Sequence, residues 1–331
     1  MLRTLGAGAV ANVALPAFGS RCFSGILEAS AAEPPGGPIR LDRNENAYGA
    51  SPLAVTALRE GLTDVYRYPD LDEALREKLA NLHKVKSEQV VLGCGSSEIL
   101  RMAADAFLKP GKKLIIAKPS FPLLEFYARD RGLEVQTVPL TPDHAHDLKA
   151  MLARSDASTG LIYICNPNNP TGTLTPRPDL EDFLRKIPPG IPVLIDEAYH
   201  HYVGGTSSYA SLIDHPMDHS RVIVARTFSK IYGLAGLRIG YAIASVELAQ
   251  KLDQQRLQFA VNSVGLKGAM AALDDTEHVR LSAKRNTDDR QEFFNGANVR
   301  MGAWIDSRTN FVLLKADHPT EEIIQHFRKN N

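Results

Sequence analysis

Between Gln89 and Ala244 the chain alternates between two kinds of hydrophobic spacing. Short, unbroken runs of β-branched and apolar residues predict strands at Gln89–Cys94, Leu114–Lys118, Glu134–Pro139, Leu161–Cys165, Val193–Asp196, Val222–Ala225 and Gly240–Ala244. Amphipathic stretches such as Ser97–Phe107 and Leu123–Arg131 lie between them and predict helices. Apolar runs that do not alternate with polar residues belong to strands covered on both faces. The pattern therefore predicts a three-layer α/β/α domain around a mainly parallel, seven-stranded sheet. In such sheets ligands gather at the carboxyl ends of the strands.

After Asn262 the spacing changes. A long helical pattern, Lys267–Glu292, is followed by a strand-like NFVLL (Asn310–Leu314) and a helical Thr320–Arg328. This predicts a large domain over residues 39–262 and a smaller α+β domain over 263–331. The chain stops just after HFRKNN with no closing strand, so the small domain is expected to be incomplete.

Composition changes this picture little. Apolar residues make up 44% of the chain and charged residues 23%, an ordinary globular balance. Lys plus Arg and Asp plus Glu number 38 each, so no net field recommends nucleic acid or an anionic membrane as partner. Cys22, Cys94 and Cys165 lie too far apart to suggest a disulfide framework or a zinc knuckle. His144/His146 and His200–His201 lack further ligands at metal-site spacing and read as packed or solvated. Residues 1–38 form a leader of a different kind: one early arginine, a run of small apolar residues, then a Pro/Gly stretch. They resemble an export signal, or otherwise a disordered extension.

The candidate chemistry sits at predicted strand ends. In VVLGCGSSEIL, a strand enters a turn of Gly95, Ser96 and Ser97 before a helix. Such a turn either cradles an anion on backbone N–H groups or is an ordinary helix cap. In YICNPNNPTG, Asn166 and Asn169 each precede a proline, which holds them out of the helical region. In VLIDEAYHHY, Asp196 ends an apolar strand, where a carboxylate needs a cationic partner, and Tyr199 follows three residues later. That partner is either a protonated pyridine nitrogen or an internal arginine. In RTFSKIYGLAGLRIGYAIA, Thr227, Ser229 and Arg238 offer two hydroxyls and a guanidinium fork for a phosphate. Lys230 stands among them, where a nearby cation and partial desolvation favour a neutral, nucleophilic amine.

The ordered set NPNNPTG, DEAY and SK–(seven residues)–R resembles the fold-type I aminotransferases, which depend on pyridoxal 5′-phosphate. LDRNENAYGASP (Leu41–Pro52), RYPD (Arg67–Asp70) and the segment around Lys230 are most similar to the histidinol-phosphate aminotransferase family. The resemblance covers roughly Leu41 to Leu314. It implies that Lys230 bonds the cofactor covalently and moves the proton. It implies that Asp196 partners the pyridine nitrogen, and that Tyr199 and Asn169 donate to the phenolic oxygen. Gly95, Ser96, Ser97, Thr227, Ser229 and Arg238 would hold the phosphate, and Phe121 would stack on the ring where the family often has tyrosine. Tyr68 would reach the cofactor phosphate of a second subunit, which implies a homodimer with shared active sites. Asn46 and Tyr48 lie in the arm that the family lays near the substrate.

The implied reaction moves an amino group from an amino acid or amino-alcohol phosphate to a 2-oxo acid such as 2-oxoglutarate. Two alternatives stay open on the same residues: decarboxylation of an amino-acid phosphate, and cofactor binding without turnover. The second is motivated by the chain's end, which falls before the family's C-terminal arginines that grip substrate. The family is cytoplasmic, whereas a signal-like leader would imply export to the periplasm.

Overall fold

The architecture follows from the two-residue period of its strands. A computed structural model of the chain describes residues 40–213, 220–300, 305–315 and 318–330. The leader expected over residues 1–38 lies outside the described residues. Seven strands form one sheet: β1 (Val90–Cys94), β2 (Lys113–Lys118), β3 (Val135–Pro139), β4 (Thr159–Cys165), β5 (Val193–Asp196), β6 (Val222–Thr227) and β7 (Ile239–Ala244). Their order is β1-β7-β6-β5-β4-β2-β3. Pairing is parallel except at β7, which runs antiparallel to both β1 and β6. Each predicted strand is found, to within two residues at its ends.

Successive side chains alternate between two cores. On one face Ile115, Ile162, Ile164, Val193, Ile195 and Val224 are buried. They share that core with residues of α2 (Asp72–His83), α5 (Leu148–Ala153) and α6 (Arg177–Lys186). On the other, Leu114, Ile116, Leu161, Tyr163, Leu194, Ile223 and Ala225 are buried with residues of α3 (Ser96–Phe107), α4 (Leu123–Asp130) and α7 (Val246–Asp253). A fully buried Leu or Ile contributes about 1.5–3 kcal/mol relative to exposure, so the two cores dominate the stability of the sheet. Near the chain start, α1 (Pro52–Gly61) is capped by Ser51, whose Oγ accepts from Ala54 N at 3.1 Å.

The C-terminal third departs from expectation in two ways. The single helical pattern is two helices, α8 (Ser263–Asp274) and α9 (Thr276–Arg300), broken at Asp275. The carboxylate of Asp275 accepts from His278 N at 3.2 Å and so starts α9 as a cap, a role for which aspartate is well suited. The second correction concerns NFVLL, which is not a strand. Among the described residues its strand-like pairing is confined to an isolated bridge at Leu314 and a bond from Ile305 N to Leu313 O at 3.1 Å. A run of apolar residues forms a strand only where a neighbour offers a ladder, and none does so here among those residues. The last helix, α10 (Thr320–Asn330), runs two residues beyond its predicted end. Helix α8 packs along α1, so Arg40–Asn330 form one compact unit.

Candidate active site

A cavity of about 560 Å³ opens at the carboxyl ends of the parallel strands. Gly95 follows β1, Phe121 follows β2, Asn169 follows β4, Asp196 ends β5 and Thr227 ends β6. Because β7 is reversed, the residue just before it, Arg238, arrives at the same edge. Ser96, Ser97, Phe121, Asn169, Asp196, Tyr199, Thr227, Ser229, Lys230 and Arg238 all line the cavity. Each of these was singled out in the sequence.

One end of the cavity is a nest of anion donors. Gly95 has φ +75°, and a Cβ there would lie 2.4 Å from Arg238 Nη2. A Cβ on Gly240 would lie 2.3 Å from Ser96 N. Glycine at these two places lets the turn, the start of α3 and the guanidinium converge. The capping alternative does not hold: Gly95 is the N-cap of α3, and no side chain caps it. The positive end of α3 is thus left facing the cavity. Arg238 Nη1 donates to Ser229 Oγ at 3.1 Å, and Thr227 Oγ1 lies 3.0 Å from the same hydroxyl.

At the other end lies a buried acid. Asp196 is 3% exposed, and its carboxylate accepts from Tyr163 Oη at 2.9 Å and Ala198 N at 3.1 Å. Burial pushes its pKa up to about 6, partly opposed by these two bonds. Among the described residues no cation lies within ion-pair distance of it. The buried arginine of the neighbouring strand, Arg226, pairs with Glu197 at 2.9 Å and not with Asp196. The carboxylate of Asp196 is therefore suited to a cation entering the cavity.

Lys230 Nζ lies between these ends, 5.4 Å from the centre of the Tyr199 ring. It donates to the carbonyls of Arg43 and Asn44, each at 3.0 Å. Burial lowers its pKa to about 8, with Glu45 and Asp196 opposing the shift and Arg238 adding to it. The hydroxyl of Tyr199 accepts from Asn169 Nδ2 at 3.3 Å and from Asn44 Nδ2 at 3.2 Å. Of the two asparagines before proline, only Asn169 faces the cavity. Asn166 bonds Thr175 across the loop through both ends of its amide, each at 3.0 Å.

Three sequence-selected residues lie elsewhere. Asn46 and Tyr48 line a second cavity of about 330 Å³, which shares Glu45 with the first. Asn46 donates to Ile231 O at 2.8 Å, and the Tyr48 hydroxyl donates to Asp289. Tyr68 is 77% exposed, stacks on Phe259 at 4.7 Å, and does not line its own chain's cavity. Sequence reasoning missed Tyr163, hidden as one more apolar strand residue, and Asn44, whose contact spans 155 positions.

The residues fit pyridoxal 5′-phosphate: a donor nest for a phosphate, a buried unpaired carboxylate for a ring cation, amide and phenol donors, and an amine of lowered pKa. The fold and this site together define a cofactor-dependent group-transfer enzyme. A family model described as aminotransferase class I and II matches residues 37–327, so the chain belongs to that pyridoxal 5′-phosphate-dependent family. The histidinol-phosphate aminotransferase of Moorella thermoacetica is 38% identical over 292 residues, covering 87% of this chain and 74% of the relative. That of Bacillus subtilis strain 168 is 36% identical over 288 residues, covering 87% and 80%. The crystal structure of histidinol-phosphate aminotransferase from Sinorhizobium meliloti in complex with pyridoxal-5′-phosphate aligns with TM-score 0.78 and 28% identity, covering 83% of this chain and 75% of that one.

Proposed function

We propose that this aminotransferase takes its amino group from an amino-alcohol phosphate of the histidinol-phosphate type, or a related amino acid, and passes it to a 2-oxo acid such as 2-oxoglutarate. The observation that carries the reading is Lys230 and Asp196 in one cavity, the amine lowered to about 8 and the acid raised to about 6. The names of the relatives support the substrate class. When bound, pyridoxal 5′-phosphate supplies an electrophilic carbonyl carbon and a ring that withdraws electrons.

The chain's own residues supply the rest. Gly95, Ser96, Ser97, Thr227, Ser229 and Arg238 would hold the phosphate, and Phe121 would cover the ring. The carboxylate of Asp196 would keep the ring nitrogen protonated. Tyr199 and Asn169 would bond the phenolic oxygen. Nζ of Lys230 is the nucleophile that binds the cofactor. As the base in the cavity, the same nitrogen would accept the proton that leaves the substrate's α-carbon. Asn46 and Tyr48 would border the substrate from the second cavity, and residues 263–331 would form the smaller domain.

Exposed apolar residues around Tyr68, namely Leu62, Val65, Tyr66, Leu257 and Phe259, support a homodimer. In it the partner subunit's Tyr68 would approach this cavity. The test is glutamate formation from histidinol phosphate and 2-oxoglutarate by the cofactor-loaded protein. Glutamate formed in step with loss of histidinol phosphate supports the reading. Carbon dioxide released from an amino-acid phosphate, with no glutamate, would replace it by decarboxylation.

A further inference from the structure

We propose that Asn44 is a positioning residue that makes Tyr199 an obligate hydrogen-bond donor into the cavity; this rests on the cofactor reading above. A phenol has one hydrogen to give and two acceptor sites. Asn44 Nδ2 at 3.2 Å and Asn169 Nδ2 at 3.3 Å both donate to the Tyr199 oxygen. With both acceptor sites filled, the hydroxyl hydrogen is turned away from the two amides and toward the cavity that Tyr199 lines. Burial raises the Tyr199 pKa, and the bond from Asn44 opposes that rise.

The backbone of Asn44 explains how one residue reaches so far. Its φ is +52°, a left-handed conformation that asparagine tolerates better than most residues. The turn sends the side chain to Tyr199 while the carbonyl faces two other donors. Lys230 Nζ and Asn310 Nδ2 each reach that carbonyl at 3.0 Å. Asn310 Nδ2 also holds Glu45 O at 3.1 Å, and Lys230 Nζ holds Arg43 O at 3.0 Å, so the arm is fixed on both sides of Asn44. One residue thus ties the phenol to the strap that lies against the reactive lysine.

The test uses the full chain loaded with pyridoxal 5′-phosphate and reads the pH midpoint of its visible absorbance. Tyr199→Phe removes a donor from the phenolic oxygen, leaves more negative charge there, and should raise the midpoint at which the bonded Lys230 nitrogen loses its proton. Asn44→Gly keeps the left-handed backbone and removes only the amide. It should raise the midpoint in the same direction by roughly half a unit to one unit, the size set by one neutral hydrogen bond. Asn44→Asp keeps the shape but replaces the donor by an acceptor. It should draw the phenol's hydrogen to itself and, with its negative charge close to the Lys230 nitrogen, raise the midpoint at least as far as Tyr199→Phe. In a Tyr199→Phe background Asn44→Gly should not move the midpoint further.

An unchanged midpoint in Asn44→Gly and Asn44→Asp, or an equal shift by Asn44→Gly without the Tyr199 hydroxyl, overturns the proposal. Absence of a cofactor band in the unsubstituted protein overturns instead the cofactor reading, and the proposal with it. Far-ultraviolet circular dichroism of each variant separates these outcomes from a failure to fold.

Discussion

Asp196 and Glu197 are adjacent carboxylates, each 3% exposed, yet the sheet gives them opposite lives. They sit at the end of β5, where alternation sends one to each face. Glu197 meets a closed set of partners: Arg226 at 2.9 Å, Ser211 Oγ at 2.7 Å and Leu212 N at 3.1 Å. Asp196 meets a phenol and one backbone N–H, and no cation among the described residues. The difference teaches how to tell a structural acid from a functional one: the first is already satisfied, the second waits for a ligand.

The largest break of this comparison comes from the cavity side. Lys230→Ala should lower turnover by more than about 10⁴-fold, by loss of both nucleophile and proton carrier. A glutamate-formation assay measures it, and the variant should melt no lower than the parent, since a partly desolvated ammonium has been removed. On the closed side, Glu197→Ala removes the carboxylate that the buried Arg226 guanidinium meets at 2.9 Å, and the acceptor of Ser211 Oγ and Leu212 N. Urea unfolding should show a loss of about 3–5 kcal/mol, while folded molecules keep their cofactor absorbance.

Asp196→Asn should act with the opposite sign on the cofactor-free protein. The folded pKa of Asp196 is raised from 3.8 to about 6, so the folded state holds its proton over that window and loses stability as pH rises through it. The variant escapes this loss. It should be more stable than the parent above pH 6, by up to about 3 kcal/mol, and equal to it near pH 4. Its affinity for cofactor should nevertheless fall. Arg238→Ala should weaken cofactor binding by roughly 10- to 100-fold, the loss of charge-assisted bonds to a phosphate, as fluorescence titration would show. The smallest effect is kinetic. Attachment of cofactor to Lys230 should speed up about tenfold per pH unit up to about 8 and level off above, because the neutral amine is the reactive form.

The seven strands were legible because a sheet buried on both faces demands unbroken apolar runs. The site was legible because the strands end where polar residues begin, at Gly95, Asn169, Asp196 and Thr227. What the residues alone left open were choices between partners. Whether an internal arginine would meet Asp196 depended on contacts across the sheet, which the residues alone do not give. Asn44 and Tyr163 act through contacts made only once distant segments meet. The break between α8 and α9 was readable in principle, since Asp275 before Thr276 and Glu277 is a capping signal set inside a helical pattern. NFVLL misled because an apolar run describes one strand, whereas pairing requires two.

The reversal of β7 has a consequence for engineering. The segment from Thr227 to Gly240 is tied at both ends, because those two residues face each other across the β6–β7 ladder. Lys230 and Arg238 therefore sit on one anchored hairpin whose length sets the spacing between the amine and the guanidinium. An added or deleted residue between Lys230 and Arg238 changes their spacing along that hairpin. The exposed pair Gly204–Gly205, where added atoms meet open space, is the better place to graft a loop, tag or reporter.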